Sequence, residues 1–189
     1  MENYEKETIA AIATALSDSG IGIVRISGEN AIYIVDSIFR SASGKKILTK
    51  VQSHMIHYGY IVDGEQVIDE VLVMLMRGPH SYTGEDTVEI NCHGGVYVVK
   101  RILELLIKNG ARPAEPGEYT KRAFLNGRLD LSQAEAVGDL IASQNEYALQ
   151  SSVSQLKGNI KDKISEMREK ILYHTAFIET ALDDPEHIS

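Results

Sequence analysis

The sequence predicts an α+β domain followed by an all-α segment. Between residues 8 and 115, short runs rich in β-branched residues alternate with helical periodicities, without the strict repeat of a nucleotide-binding fold. After the Pro116–Gly117 turn, the apolar residues recur mainly at three- and four-residue spacing. We therefore expect one domain at residues 1–118 and a helical segment at residues 119–189.

The first half of the α+β domain should contain three strands and one helix. Residues 20–27 are rich in β-branched side chains and predict a strand. Residues 29–40 carry apolar side chains at helical spacing, which predicts one buried stripe. Residues 54–62 and 66–76 are predicted strands joined by the hairpin signal Asp63–Gly64.

The second half adds a strand with two different faces and another helix. In residues 87–92, apolar Val88, Ile90 and Cys92 alternate with polar residues, so one face of the strand should be buried. Glu89 belongs to the polar face. Residues 96–109 predict a helix that ends at Gly110.

The helical segment is predicted to contain one very long helix. Residues 120–125 predict a short helical turn, and Ser132 with Glu135 predicts a capping box that starts a helix at Gln133. Residues 145–182 predict a continuous helix of about ten turns. Its apolar stripe needs partner helices, either from a second copy in a coiled coil or from further chain. We expect the sequence to be the N-terminal part of a longer protein.

Composition excludes several classes of protein. The 189 residues contain no run of 18 apolar residues and one cysteine, Cys92, which argues against a membrane span and a disulfide framework and favours the reducing cytosol. The net charge of −8 argues against strong non-specific binding of polyanions, although Lys121, Arg122 and Arg128 form a local basic cluster. Neither a zinc-binding spacing nor the phosphate-binding pattern GxxxxGK[ST] occurs.

Two regions are richer in glycine, charge and turn residues than a packed scaffold requires. They are residues 80–95, which include YTGEDTVEINCHGG, and residues 116–141, which include AFLNGRLDLSQAEAV. With TIAAIAT at residues 8–14 and GIGIVRISG at residues 20–28, they resemble the N-terminal part of the MnmE (TrmE) family of tRNA-modifying GTPases.

The resemblance implies a homodimeric, folate-binding domain with a fold similar to the glycine-cleavage T protein. Glu89 matches a glutamate that contacts the folate, and a carboxylate suits the paired N–H donors of a pterin. Arg25 matches a folate-binding arginine, whose fork suits the carboxylates of the glutamyl tail. Arg128 stands where the family often has a cofactor-contacting lysine, and Tyr82 is a candidate wall of the pocket. No catalytic or metal-ligating residue is expected.

The resemblance also implies the activity of the longer protein. A downstream GTPase domain would use GTP, magnesium and potassium, and a flavin-dependent partner of the MnmG (GidA) type would share the modification of the tRNA wobble uridine in the cytoplasm. The tetrahydrofolate derivative would supply the one-carbon unit. Residues 15–20 depart from the family, where many members have a TPPGRGG run. A stand-alone folate-dependent aminomethyltransferase and a pure oligomerisation scaffold remain alternatives.

Overall fold

The computed structural model describes residues 7–44 and 47–183 and divides the chain into two compact units, Met1–Arg128 and Leu129–Ser189. The division follows Arg128, whereas the sequence placed it after residue 118. The reason is that the helix Glu118–Leu125 is tied to the first unit by buried ion pairs. The mixed α+β class predicted for the chain is confirmed.

A seven-stranded sheet forms the centre of the first unit. Its order is β3-β4-β5-β6-β2-β1-β7, and all neighbours are antiparallel except β1 and β7. The strands are β1 (Ile9–Ile12), β2 (Ser19–Ser27), β3 (Phe39–Ser41), β4 (Met55–Asp63), β5 (Gln66–Met76), β6 (Thr87–Gly94) and β7 (Arg112–Pro113). The short strands β1, β3 and β7 were not predicted, because two to four residues carry too little periodicity.

Two helices cover one face of the sheet, which we call the inner face. They are α1 (Ala31–Ile38) and α2 (Val96–Lys108). Their buried residues pack with those of the strands in a single core that includes Val24, Ile26, Val35, Val88, Ile90, Ile102 and Leu106. The predicted helix 29–40 is too long, since Phe39 leaves the helix and pairs with Ile61 of β4.

The opposite face, which we call the outer face, carries the alternate residues of the same strands. The alternation predicted for residues 87–92 is confirmed: Val88, Ile90 and Cys92 are buried, whereas Glu89 and Asn91 are partly exposed. The hairpin between β4 and β5 also forms as predicted, with Gly64 at φ +62°. The outer face is therefore where polar side chains of the central strands are accessible.

Helix α3 (Glu118–Leu125) is held by a network of buried charges. Arg122, 5% exposed, donates to Glu85 at 3.1 Å and to Glu118 at 3.1 Å. Arg112 of β7 donates to Glu118 at 2.6 Å. Because each charge in this set has an opposite partner, burial does not leave an isolated ion.

The second unit contains α4 (Leu131–Ala142), α5 (Glu146–Leu156) and α6 (Asn159–Asp183). The single helix predicted for residues 145–182 is wrong, because Gly158 has φ +86° and separates α5 from α6. The apolar stripe of α6 lies exposed, with Ile164, Met167 and Ile171 each more than half accessible. Among the described helices, none is long and apolar enough to cross a membrane.

The capping box of α4 also differs from the prediction. Asp130, not Ser132, accepts from the Gln133 amide at 2.9 Å, and the Gln133 side chain accepts from the Asp130 amide at 3.0 Å. The helix begins two residues earlier than predicted, at Leu131. A carboxylate satisfies the first amides and also interacts favourably with the positive end of the helix, which favours Asp130 over a hydroxyl group.

Glu118 should make the stability of the first unit depend on pH. Burial raises its pKa, but hydrogen bonds from Arg112, the Glu115 amide and Arg122 outweigh burial and lower the pKa to about 2. Because the folded pKa lies below the unfolded value of about 4.3, the stabilisation is present above the unfolded pKa and is lost as the pH falls through the folded pKa. In urea titrations, the stability advantage of the wild type over Glu118→Gln should shrink by about 2 to 3 kcal/mol between about pH 5 and about pH 2.

The matched control is Glu104→Gln, since the Glu104 side chain is 65% exposed. The difference in free energy of unfolding between this variant and the wild type should stay nearly constant over the same pH range. If the stability difference between the wild type and Glu118→Gln also stayed constant over this pH range, the assignment of the low pKa to Glu118 would be contradicted.

Candidate functional site

The candidate site is built around an ion pair on the outer face. Arg25 of β2 lies directly opposite Glu89 of β6 in the antiparallel register. Its Nη2 is 2.6 Å from Glu89 Oε1, and its Nε donates to the same oxygen at 2.8 Å. The side chains are 27% and 13% exposed. The strand alternation that buries Val24 and Ile26 thus directs both charges to the accessible face.

Two tyrosine rings flank the guanidinium of Arg25. Its Cζ lies 5.4 Å from the centre of the Tyr82 ring and 5.5 Å from that of the Tyr119 ring, within the range of cation–π attraction. The Tyr119 hydroxyl donates to the Arg25 carbonyl oxygen at 2.7 Å, and the Tyr82 hydroxyl lies 2.9 Å from Thr120 Oγ1. These contacts fix the orientation of Arg25 and hence of Glu89.

Arg128 completes the set of residues predicted from the sequence. Its Cζ lies 5.1 Å from the centre of the Tyr82 ring. The structure therefore brings Arg25, Tyr82, Glu89 and Arg128 together, although they come from four separate parts of the chain. Tyr119 belongs to the same group and was not predicted. Its signal in the sequence was a tyrosine directly before the short helical turn predicted for residues 120–125.

The loop that carries Tyr82 is held by buried hydroxyl groups. Thr83 Oγ1 lies 2.7 Å from Ser27 Oγ, and Ser27 also contacts Thr87 at 3.1 Å. Asp86 accepts from the Gly78 amide at 2.9 Å, a contact typical of aspartate in turns. The acids of the loop are therefore structural, since Glu85 is engaged by Arg122.

The contact between Arg25 and Glu89 changes the role expected for Arg25. The sequence analysis assigned Glu89 to the pterin and Arg25 to the glutamyl carboxylates, which are at opposite ends of a folate. Two groups 2.6 Å apart cannot hold the two ends of such a molecule. In this arrangement Arg25 contacts and orients the carboxyl group of Glu89, and the roles of both residues toward a folate stay predictions.

An open groove of about 660 Å³ extends along the outer face next to this pair. Its floor is apolar and includes Ile21, Ile56, Leu72 and Met74, and Met74 is the register partner of Glu89. His93 lines the groove together with Asn91, Tyr58 and Glu70. The sequence did not predict this groove, because it forms only when β2, β4, β5 and β6 pair side by side in the sheet.

Cys92 and His93 do not form a nucleophile–base pair. Cys92 is 5% exposed, and burial, with a smaller contribution from the charge of Asp69, raises its pKa to about 11. His93 is exposed and bonds instead to Asp69, with Nδ1 2.7 Å from Oδ1. The interpretation of Cys92 as a core residue is confirmed.

The basic cluster suggested by the sequence is only partly available to a ligand. Arg122 is buried and bonded to Glu85 and Glu118. Arg128 lies against Tyr82. The structure thus contradicts the interpretation of Lys121, Arg122 and Arg128 as one surface patch, because tertiary ion pairing takes up its central member.

Comparison with known proteins finds matches over nearly the whole chain. A family model described as the GTP-binding protein TrmE N-terminus matches residues 8–128, and one described as the MnmE helical domain matches residues 131–189. The chain is 61% identical over 183 residues to the tRNA modification GTPase MnmE of Lachnoclostridium phytofermentans and 54% identical over 180 residues to that of Clostridioides difficile. These matches cover 97% and 95% of the chain, which spans about 40% of the length of these relatives.

The Arg25–Glu89 pair should be energetically coupled. Removing one partner leaves a partly buried charge without its counter-ion, so Arg25→Met and Glu89→Gln should each lower the free energy of unfolding by about 1 to 3 kcal/mol. The double variant should lose less than the sum of the two. Urea denaturation of the four proteins measures the coupling.

The exposed pair Lys170–Glu166 provides the control, since its side chains are 67% and 65% exposed. A cycle on that pair should give a coupling of about 0.5 kcal/mol or less. Additive losses for Arg25 and Glu89 would show that the pair is not a coupled unit.

Proposed function

Because the chain belongs to the MnmE family of tRNA modification GTPases, we propose that its first unit binds a reduced folate on the outer face of the sheet. The observation that carries the proposal is the ion pair between Glu89 and Arg25, whose guanidinium lies against the rings of Tyr82 and Tyr119. The fold similarity to the glycine-cleavage T protein is part of the same proposal.

The chemistry of the residues fits the parts of a folate. A pterin has a ring N–H beside an amino group, and an ionised carboxylate is an acceptor with two oxygens. Both contacts of Arg25 are to Oε1 of Glu89, so the carboxylate can accept further hydrogen bonds. The aminobenzoyl ring of a folate is apolar and flat, and the groove beside Met74 offers it an apolar floor.

Arg128 and Tyr82 have supporting roles in this proposal. Tyr82 forms one wall, and its ring is held between the guanidinium groups of Arg25 and Arg128. Arg128 supplies a cation at the end of the site where the folate pterin lies. Bound there, 5-formyl- or methylene-tetrahydrofolate supplies a one-carbon unit.

The proposal for the longer protein follows from the family. A region beyond the 189 residues hydrolyses GTP with magnesium and potassium. The longer protein acts in the cytoplasm with a flavin-dependent partner of the MnmG type, and it installs a carboxymethylaminomethyl group on the tRNA wobble uridine. In this division of work the present residues hold the folate, and bond-making chemistry is shared with groups elsewhere.

Folate binding is tested by isothermal titration of 5-formyltetrahydrofolate. Replacing Glu89 by Ala removes a charge-assisted pair of acceptors, which should cost about 2 to 4 kcal/mol of binding free energy, or about 30- to 700-fold in Kd. The control is Glu104→Ala, because Glu104 is an exposed acid on α2. Equal affinity of the Glu89→Ala variant and the wild type would remove Glu89 from the site.

A homodimer is the second part of the proposal. Ile21, Ile56 and Leu72 are 64%, 62% and 45% exposed on the outer face, and a second copy over this face would exclude water from them and enclose the folate. Sedimentation equilibrium at micromolar concentration should give twice the chain mass of 20.9 kDa. A 20.9 kDa monomer in the presence of folate would contradict the dimer.

A further inference from the structure

The outer face carries a second group of polar side chains, Asn91 and His93, at the end of the groove away from Glu89. His93 and Asn91 follow Glu89 on the same strand at alternate positions. Four residues of a strand span about 13 Å, so His93 lies about that distance from Glu89. The apolar groove floor lies between Glu89 and His93, and its Leu72 is opposite Asn91 in the strand register.

Asp69 holds the ring of His93. Its Oδ1 lies 2.7 Å from Nδ1, and its Oδ2 accepts from the His93 amide at 2.8 Å. The side chain of Asp69 is 10% exposed, whereas that of His93 is 69% exposed. Because Nδ1 is engaged, the ring presents Nε2 to a ligand.

On the basis of the proposed folate site, we propose that His93 binds the glutamyl carboxylate of the folate while Glu89 binds the pterin. In a folate, a methylene bridge, a benzene ring and an amide separate the pterin from the glutamyl carboxylate. The length of this spacer is of the same order as the ~13 Å between Glu89 and His93. The apolar groove then supports the aminobenzoyl ring. This assignment supplies the carboxylate partner that Arg25, locked against Glu89, does not provide.

The surroundings of His93 favour its cationic form. Its pKa is raised, chiefly by the hydrogen bond to Asp69 and also by the charges of Asp69 and Glu70. The other titratable residues that line the groove are Cys92, Tyr58 and Glu70, and the Tyr58 hydroxyl donates to Glu70. The adjacent β2 residues, Ser19 to Ile21, have no ionisable side chain. A cation at Nε2 binds a carboxylate, and Asp69 acts as a positioning residue for it.

Two ligands distinguish this role from a structural one. The first is 5-formyltetrahydrofolate, and the second is the carboxamide of 5-formyltetrahydropteroic acid, which lacks the glutamyl group and carries no carboxylate. The 189-residue chain should bind the first more tightly. In His93→Gln, Kd for the first should rise about 3- to 20-fold, a range reduced for solvent exposure, and Kd for the second should stay unchanged.

The pH dependence gives an independent readout. As the pH rises through the raised pKa of His93, deprotonation should weaken binding of the glutamate-bearing ligand to the wild type and leave the affinity of the His93→Gln variant unchanged. Asp69→Asn should move this loss of affinity to lower pH. The control is His174→Gln, since His174 is an exposed histidine on α6; both its affinities should equal those of the wild type.

The outcomes separate the two proposals. If the wild type binds neither ligand, the folate site itself is wrong. If the wild type binds both and His93→Gln loses equal affinity for both, or for neither, the assignment of the carboxylate to His93 is overturned.

Discussion

The antiparallel pairing of β2 with β6 decides which side chains of this protein meet. The register that places Arg25 opposite Glu89 also places Val24 opposite Ile90 and Ile26 opposite Val88. The inner pairs are buried in the core, so a shift by one residue would bury two charges and expose two apolar rows. The hydrophobic core therefore enforces the geometry of the ion pair, and the ion pair in turn presents a fixed carboxylate.

The ion pairs of α3 extend this constraint to the rest of the site. Arg122 bridges Glu85 of the Tyr82 loop and Glu118 of the helix, so the loop and Tyr119 are held by one buried cation. Tyr82 and Tyr119 then flank Arg25. The charges that hold α3 are satisfied within the buried network, whereas Arg25 and Glu89 are paired with each other and remain partly accessible. This difference explains why a basic residue next to the site does not always bind a ligand.

The outer face combines features that suit an elongated ligand with unlike ends. Three features follow one another along β6. They are the carboxyl group of Glu89 paired with Arg25, the apolar groove, and His93 bonded to Asp69. Under the proposed function, a reduced folate would lie on this surface with its pterin at Glu89. If the proposed second copy covers the same apolar residues, ligand binding and association would be linked.

The sequence by itself determined the α+β class, the alternation of residues 87–92 and the β4–β5 hairpin, because these depend on local periodicity and turn chemistry. It also singled out Arg25, Tyr82, Glu89 and Arg128, largely through motif resemblance. Only the tertiary structure decided that Arg25 contacts Glu89, that Arg122 is buried and that His93 shares the groove, because strand register brings together residues that are far apart in the chain. The break at Gly158 and the cap at Asp130 were missed for a related reason: an apolar repeat and a short polar pattern are each compatible with several helix boundaries, and backbone geometry selects one.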